Sequence, residues 1–379
     1  MGLAVGVLKE TVPGERRVAM TPKAMDVLTK AGVQIFVEQG AGLQAGVRDE
    51  DFTAKGAVIT SAADVLQKSE ILFSVRVPDP AKLRKGQLVV GFCDPLSEPD
   101  LMQRYAQAGV TLFSMELVPR TTRAQSMDAL SSMASIAGYK SVLMAASALP
   151  RMFPMMTTAA GTIAPAKVLV LGAGVAGLQA IATARRLGAV VSAYDVRSAV
   201  KEQIESLGAK FVNITLGAAA EGQGGYARQL TDEEIRIQRE QLGAVIREQD
   251  VVITTAAVPG RKAPILITKE MMTGMSEGSV ILDLAAERGG NCEGTRAGET
   301  VTVNGVSILG PVNVPATVPF HASQMYARNL ATFLKNMLTN EGALNVDLTD
   351  EIVRESMVAR DGEVVNQRVR SLLGMAAKS

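Results

Sequence analysis

Three glycines and one aspartate stand at spacings that suit the binding of a dinucleotide. Gly172, Gly174 and Gly177 follow the apolar run 168–171, and Asp195 ends a second apolar run 23 residues after Gly172. Such glycines allow a tight turn, close approach of a pyrophosphate and close helix–strand packing, and the next helix points its N–H groups at the phosphates. A carboxylate at Asp195 accepts hydrogen bonds from ribose hydroxyls and repels a 2′-phosphate. The pattern predicts an NAD(H) site; the alternative is a glycine-tolerant turn that binds nothing.

The segment 117–131 gathers polar side chains where a strand pattern gives way to a helix pattern. They are Arg120, Arg123, Gln125, Asp128 and Ser131. Because the last three are spaced three residues apart, they can share one face of the first helical turns. One interpretation is a functional cluster. The other is that Asp128 only caps the helix or interacts with its dipole.

Four further features each allow a functional and a structural interpretation. The glycine-rich loop 217–226 is either a surface insertion or a mobile lid with Tyr226 at its tip. Residues 254–257 follow a predicted strand, where a second loop of the same lobe would contact the nucleotide. Asp283 also ends a strand, and we favour a role in fastening that strand end. For His321, the one histidine of the chain, we favour a structural role over catalysis.

Composition excludes several classes of protein. The net charge of +1 gives no reason to expect a nucleic-acid partner. Cys93 and Cys292 are far apart, so we expect no metal site, no disulfide framework and a reducing compartment. The N-terminus lacks the pattern of a signal peptide, and no stretch qualifies as a membrane span. We therefore expect a soluble chain without direct membrane insertion.

Apolar runs alternate with helical patterns, which predicts an α/β fold with two Rossmann-like parallel-sheet lobes joined by long helices. The predicted strands are 3–8, 34–38, 71–75, 88–92, 110–115, 167–171, 190–194, 210–213, 250–254, 279–284 and 306–309. The predicted helices are 22–31 with Thr21 as N-cap, 61–68, 97–108, 126–150, 178–187, 198–207, 231–249, 268–275 and 320–338.

Two domains are predicted from this alternation. The first lobe comprises 1–130 together with about 325–379, and the NAD-binding Rossmann lobe comprises 131–324 with the linking helices. Ligands of open parallel sheets bind outside the carboxyl ends of the strands, so we expect the cofactor in the cleft between the lobes. The tail after 339 is polar and only weakly periodic.

Six segments together resemble the NAD(H)-binding component of proton-translocating nicotinamide nucleotide transhydrogenase. The resemblance covers nearly the whole chain, and the hexapeptide RAQSMD within it is specific to that family. The related alanine dehydrogenases share the first segment and the two-lobe fold. The segments are KETVPGERRVAMTP (9–22), VPRTTRAQSMDALSSMASIAGY (118–139), AAGTIAPAKVLVLGAGVAGLQAIATARRLGA (159–189), DVRSAVKEQIESLGAKF (195–211), GGYA (224–227) and ILDLAAERGGNCE (281–293).

The resemblance implies a role for each candidate residue. Gln125 would reach toward the ribose of a second nucleotide across a subunit boundary, while Arg120, Asp128 and Ser131 would hold the dihydronicotinamide carboxamide and neighbouring groups. Arg120, Gln125 and Asp128 are accordingly the predicted catalytic residues. At position 257, another predicted contact, this chain has alanine where the family more usually has leucine. The other predicted cofactor contacts are Gly172, Gly174, Val175, Gly177, Asp195, Val196, Arg197, Gly225, Tyr226, Gln238 and Ala257.

The implied activity is direct hydride transfer between NADH bound here and NADP⁺ bound on a partner component. This transfer would be coupled to proton movement in a membrane-spanning component. The resemblance also implies a homodimer, held by its partner subunits on the cytoplasmic face of the inner or plasma membrane. A non-catalytic NAD-binding regulator is an alternative.

An alanine dehydrogenase-like enzyme is the second alternative. Alanine dehydrogenases use a lysine and a histidine in the first lobe, but this chain has Ser74–Arg76 and Phe92–Asp94 at those strand ends. Transfer between two nicotinamides requires no substrate proton at the site, so the scarcity of histidine favours the transhydrogenase.

Overall fold

The chain divides into two units, each built around its own sheet. The computed structural model describes residues 2–214, 231–257 and 260–376. Unit 1 comprises Met1–Met133 and Pro315–Ser379, and unit 2 comprises Ala134–Val314. Both sheets are dominated by parallel strands flanked by helices, which confirms the predicted α/β class.

The strands of the described residues are, in chain order, β1 Ala4–Val7, β2 Gln34–Glu38, β3 Val58–Thr60, β4 Ile71–Arg76, β5 Leu88–Phe92, β6 Thr111–Ser114, β7 Met156–Thr158, β8 Gly161–Ile163, β9 Lys167–Leu171, β10 Val190–Tyr194, β11 Lys210–Phe211, β12 Val251–Thr254, β13 Val280–Asp283, β14 Thr300–Val303, β15 Val306–Leu309, β16 Met357–Arg360 and β17 Glu363–Val364. The α-helices are α1 Pro22–Thr29, α2 Asp49–Thr53, α3 Ala62–Lys68, α4 Pro99–Gln107, α5 Ala129–Ala148, α6 Val175–Arg186, α7 Lys201–Ser206, α8 Asp232–Ile246, α9 Lys269–Met272, α10 Pro319–Asn336, α11 Glu351–Ser356 and α12 Gln367–Leu372.

The sheet of unit 1 has the strand order β17-β16-β6-β5-β4-β1-β2-β3. The six strands from β3 to β6 are parallel, while β16 pairs antiparallel with β6 and β17 antiparallel with β16. The strand order reverses between β1 and β4, which is where open parallel sheets form a crevice for ligands.

The sheet of unit 2 repeats this plan, with the order β11-β10-β9-β12-β13-β15-β14. Its strands are parallel except β14, which pairs antiparallel with β15. The first six strands follow the order typical of dinucleotide-binding folds. The switch point lies between β9 and β12, so the carboxyl ends of those two strands border the predicted binding crevice.

Apolar strand sequences explain why the two sheets form. Strands covered by helices on both faces read as continuous apolar runs, and residues 168–171 and 251–253 are fully buried. In unit 2, the strand residues pack against Ile181 of α6, and Val142 of α5 joins the same core. Each such residue stabilises the fold by about 1.5–3 kcal/mol relative to its exposed state.

Helix starts follow capping chemistry. Thr231 and Glu234 form a reciprocal capping box at the start of α8, and Thr268 accepts a hydrogen bond from Met271 N at the start of α9. Thr21 does occupy the predicted N-cap position of α1. However, its hydroxyl caps nothing, and its buried Oγ1 has no hydrogen-bond partner among the described residues.

Several predicted boundaries and omissions are corrected by the structure. We call the motif of Gly172, Gly174 and Gly177 the fingerprint. The helix that follows it begins at Val175 and not at 178, and the helix predicted at 268–275 is the short α9. The sequence patterns gave no indication of α2, β3, the β7–β8 hairpin or β14. The weakly periodic tail contains α11, β16, β17 and α12. No helix of the described residues is both long and apolar enough to cross a membrane.

Candidate dinucleotide-binding site

In the turn between β9 and α6, the steric surroundings differ for each of the three fingerprint glycines. Gly172 has a φ of 97°, which L-residues with side chains rarely adopt. A Cβ on Gly177 would lie 1.9 Å from the carbonyl oxygen of Gly172. A Cβ on Gly174, by contrast, would meet no atom of the described residues within 4 Å. Two glycines are therefore required by the turn itself, and the third borders open space.

The start of α6 supplies hydrogen-bond donors beside that open space. Gly174 is the N-cap residue and offers no side-chain cap, and Leu178 N is the donor that closes the first helical turn onto Gly174 O. The preceding N–H groups of the helix are those that bind anions at helix N-termini, where the helix dipole also favours negative charge. The residues present at this turn thus fit a pyrophosphate.

Asp195 lies directly after β10, at the position predicted for the ribose acid. Its Oδ2 accepts a hydrogen bond from Ala173 N at 2.7 Å, and the Arg197 guanidinium contacts both carboxylate oxygens at 2.9 Å. Burial alone would raise the pKa of Asp195, but the hydrogen bonds from Arg197 and Ala173 outweigh it and lower the pKa. The carboxylate is therefore ionised at neutral pH and is held against the fingerprint turn.

The segment after β12 borders the same turn. Thr255 Oγ1 donates a hydrogen bond to Gly172 O at 3.1 Å, and Thr255 N donates to Leu171 O at 2.9 Å. Ala257, a predicted contact, is exposed just beyond Thr255. The predicted contact Gln238 lies on α8, where it is buried and donates to Tyr194 Oη at 2.9 Å. The structure thus brings the 255–257 segment to the fingerprint and uses the Gln238 amide to fix Tyr194.

The other predicted contacts of unit 2 are two valines and two residues of the glycine-rich loop. Val175 begins α6 with 40% of its surface exposed, and Val196 packs partly buried against the core. Gly225 and Tyr226, together with the rest of the loop 217–226 from which a lid was predicted, lie outside the described residues.

Asp283 fastens a strand end, as the favoured interpretation held. Its fully buried carboxylate accepts hydrogen bonds from five donors within 3.0 Å. One of these donors is the backbone N–H of Asn291, whose side chain in turn binds the segment after β12. Sequence reasoning did not single out Asn291, although it lies in the segment 281–293 that carries some of the family resemblance.

In unit 1 the polar segment 120–131 contains a helix cap. Asp128 precedes α5, and its carboxylate accepts hydrogen bonds from Ser131 N at 2.8 Å and Ser131 Oγ at 2.6 Å. The structural interpretation of Asp128 is therefore realised. Gln125 is exposed and makes no side-chain hydrogen bond to the described residues. Arg120 is exposed as well, while Arg123 pairs with Asp350 of the tail.

Charged groups also meet at the carboxyl ends of the unit 1 strands. Arg17 and Glu15 form a buried ion pair with an N–O distance of 2.6 Å. Glu10 accepts hydrogen bonds from Val75 N at 2.6 Å and Arg76 N at 3.2 Å. Burial raises the pKa of Glu10 to about 7, although these backbone hydrogen bonds oppose the shift. The carboxylates of this cluster are thus already occupied by protein donors.

The remaining candidate groups are the two cysteines and the histidine. Within the described ranges, no three His, Cys, Asp or Glu side chains converge as metal ligands would. Cys93 and Cys292 are free and buried, and burial raises the pKa of both thiols, that of Cys292 to about 12. His321 is exposed at the start of α10, and its ring lies perpendicular to that of Phe320, with 5.2 Å between the ring centroids.

Comparison with known proteins yields matches along nearly the whole chain. The N-terminal domain profile of alanine dehydrogenase/PNT matches residues 6–137, and the C-terminal domain profile matches 141–367. A curated protein of Rhodospirillum rubrum, named as the first portion of the alpha subunit of NAD(P) transhydrogenase, is 44% identical over 379 residues, covering 96% of this chain and 98% of that protein.

Solved structures give the same grouping. A transhydrogenase from Sinorhizobium meliloti matches with a TM-score of 0.87 and 45% identity, covering 96% of this chain and 100% of that one. An L-alanine dehydrogenase matches with a TM-score of 0.79 and 27% identity, covering 98% of this chain and 99% of that one. Both relatives share this fold, and the transhydrogenase is nearer in sequence.

Proposed function

This chain belongs to the alanine dehydrogenase/PNT family, and from that premise we propose that it is the NAD(H)-binding component of a proton-translocating transhydrogenase. It binds NADH or NAD⁺ and exchanges hydride directly with NADP(H) held on a partner component. The observation that carries the NAD(H)-binding part of the proposal is the turn at Gly172–Gly177, with open space at Gly174 and an ionised Asp195 beside it. The similarity to the Rhodospirillum rubrum subunit supports the transhydrogenase part.

The site chemistry supports NAD(H) over NADP(H). The Asp195 carboxylate accepts ribose hydroxyls, and its negative charge disfavours a 2′-phosphate. Arg197 holds the carboxylate in place through two contacts at 2.9 Å. Gly172, Gly174, Val175 and Gly177 provide the pyrophosphate turn. The remaining proposed contacts with the cofactor are Val196, Arg197, Gln238, Ala257, Gly225 and Tyr226.

Unit 1 contributes the nicotinamide-positioning residues in this proposal. Arg120, Asp128 and Ser131 hold the carboxamide end, and the exposed Gln125 reaches toward the second nucleotide. When bound, NADH supplies the hydride, so the residues need only orient the ring and exclude competing geometries. Proximity and orientation of this kind can contribute about 7–11 kcal/mol to catalysis.

The partners proposed for the chain follow from this role. They are a second copy of the chain in a homodimer, an NADP(H)-binding component and a membrane-spanning component through which protons move. The chain is then peripheral on the cytoplasmic face of the membrane. The name of the Rhodospirillum rubrum relative, one portion of a subunit, supports an assembly of several components.

Mixing the purified chain with an NADP(H)-binding partner tests the proposal. With NADPH as donor, the mixture should reduce an NAD analogue that has a shifted absorbance. Omitting the chain should abolish reduction, and replacing it with Gly174→Ala should slow reduction when the NAD analogue is below saturation. Binding of NADH without reduction would instead support the non-catalytic regulator.

A second assay addresses the alanine dehydrogenase alternative. The strand-end positions where those enzymes use a lysine and a histidine contain Ser74–Arg76 and Phe92–Asp94 here. The isolated chain should therefore not deaminate alanine with NAD⁺. Measurable formation of NADH with alanine as substrate would revive that alternative.

A further inference from the structure

The segment 281–293 has no role in the proposed contacts with the cofactor, yet it builds a dense buried network. Asp283, at the end of β13, is fully buried and accepts hydrogen bonds from Thr254 Oγ1 at 2.8 Å and from Asn291 N at 2.7 Å. It therefore ties the end of the neighbouring strand β12 to the loop that contains Asn291.

The Asn291 side chain carries this network one step further. Its Oδ1 accepts a hydrogen bond from Ala256 N at 3.0 Å, and its Nδ2 donates to Ala256 O and Pro264 O, both at 2.8 Å. Both amide hydrogens of Asn291 and both backbone polar groups of Ala256 are thus used. Asn291 is fully buried, so each lost bond would leave an unpaired polar group.

Ala256 stands directly beside the fingerprint turn. A Cβ placed on Gly172 would lie 3.5 Å from Ala256 N and 2.6 Å from Thr255 Oγ1. Thr255 itself donates to Gly172 O. Any movement of Ala256 therefore displaces the wall of the crevice next to the glycine turn.

We propose that Asn291 is a positioning residue for dinucleotide binding, which holds the 255–257 segment against the fingerprint turn through Ala256. This inference rests on the proposed function and assigns a role to a residue outside the set of proposed cofactor contacts. The Asp283 carboxylate accepts a hydrogen bond from Asn291 N and so fixes the backbone of that residue. Among side chains, only an amide can both accept from Ala256 N and donate to two carbonyl oxygens.

A buried amide at the opposite end of the sheet provides a matched control. Gln249 is 8% exposed, lies just before the amino end of β12 and donates from Nε2 to Val245 O at 2.9 Å. Its truncation should destabilise unit 2 without touching the carboxyl edge, where the glycine turn lies.

Fluorescence titration of the full chain with NADH, beside thermal melting, tests the proposal. Asn291→Ala should raise the Kd for NADH at least tenfold while the binding stoichiometry stays at that of the wild type. Gln249→Ala should keep the Kd for NADH within twofold of the wild-type value, even if its melting temperature falls as far as that of Asn291→Ala. A merely structural role would lower the stoichiometry, because fewer molecules are folded, and leave the Kd unchanged.

A conservative variant covers the case in which Asn291→Ala does not fold. Asn291→Asp keeps the acceptor for Ala256 N but sets a carboxylate against two carbonyl oxygens. Its Kd should be raised at pH 8 and recover toward wild type at lower pH, where a protonated acid can donate to one carbonyl. A Kd equal to that of wild type at pH 8 would overturn the role of Asn291. Failure of the wild type to bind NADH would overturn the proposed function, and this inference with it.

Discussion

At the scale of single residues, Asp195 shows what spacing predicts and what it does not. Its distance from Gly172 predicted an acid at a strand end beside the turn, and the structure places it there, bonded to Ala173 N. The two-point contact with Arg197 depends on side-chain geometry that spacing does not encode. Gln238 is a similar case, since its bond to Tyr194 becomes visible only once α8 is packed.

The first residue-level prediction concerns the choice of cofactor. Because the pKa of Asp195 is lowered, the group is ionised at pH 7 and repels a 2′-phosphate. NADH should bind at least tenfold tighter than NADPH, and Asp195→Asn should narrow that ratio. Fluorescence titration with both nucleotides checks this. Comparable affinities in the wild type would remove the basis for the NAD(H) assignment.

The second residue-level prediction separates binding from chemistry at Gln125. This side chain is exposed and unbonded within the described residues, so its change should leave the fold intact. Gln125→Asn should slow hydride transfer to the partner at least tenfold and alter NADH affinity less than threefold. Ser126→Ala, an exposed neighbour, is the control and should behave as wild type. A parallel loss of transfer and affinity in Gln125→Asn would contradict the positioning role.

The third residue-level prediction follows from Glu10. Its folded pKa is raised to about 7, so the folded state binds the proton more tightly than the unfolded chain does. This contribution to stability is fully present below about pH 4.5 and is lost as the pH rises through 7. The full shift corresponds to about 3 kcal/mol as an upper bound, at about 1.4 kcal/mol per pKa unit.

Melting temperatures at pH 5 and pH 8 measure this effect. The wild type should lose stability across that interval, and Glu10→Gln should flatten the dependence. Glu50→Gln, at an exposed carboxylate of α2, should leave the wild-type slope unchanged. Equal slopes for wild type and Glu10→Gln would show that Glu10 titrates normally.

At the scale of elements, long apolar runs were predictable and short or polar ones were not. Strands such as β2, β5 and β9 match their predicted bounds because buried parallel strands read as continuous apolar segments. The strands β3, β14, β16 and β17 have only two to four residues each, so their patterns are too short to be recognised, even in β16, which is mostly buried. The exposed β7–β8 hairpin lacks the burial signal altogether.

The β9–α6 turn gives an element-level prediction with an internal control. Gly174→Ala meets no described atom and should leave the melting temperature within about 1 °C, yet its methyl group would occupy the place of the pyrophosphate. NADH affinity should fall at least tenfold. Gly177→Ala clashes with Gly172 O and should lose both stability and affinity. If Gly174→Ala bound NADH as the wild type does, the phosphates would have to lie elsewhere.

At the scale of the whole molecule, the two units repeat one strand order but differ in what their strand ends present. In unit 2 the switch point presents a glycine turn with helix donors and an acid. Among the described residues of unit 1, the strand ends present no such glycine turn but the buried Arg17–Glu15 ion pair and Glu10, together with the exposed segment around Gln125. The sequence resemblance predicted this division of roles, whereas fold alone would not, because the same architecture serves alanine dehydrogenases.

In the proposed reaction, hydride passes directly from one nicotinamide to another held by a different protein. An isotope experiment follows this transfer. NADH labelled with deuterium at both C4 positions, mixed with this chain and an NADP⁺-loaded partner, should yield NADPH that contains one deuterium at C4. The same reaction in D₂O with unlabelled NADH should incorporate none. Absence of labelled NADPH, or label lost to solvent, would contradict direct transfer between the two nicotinamides.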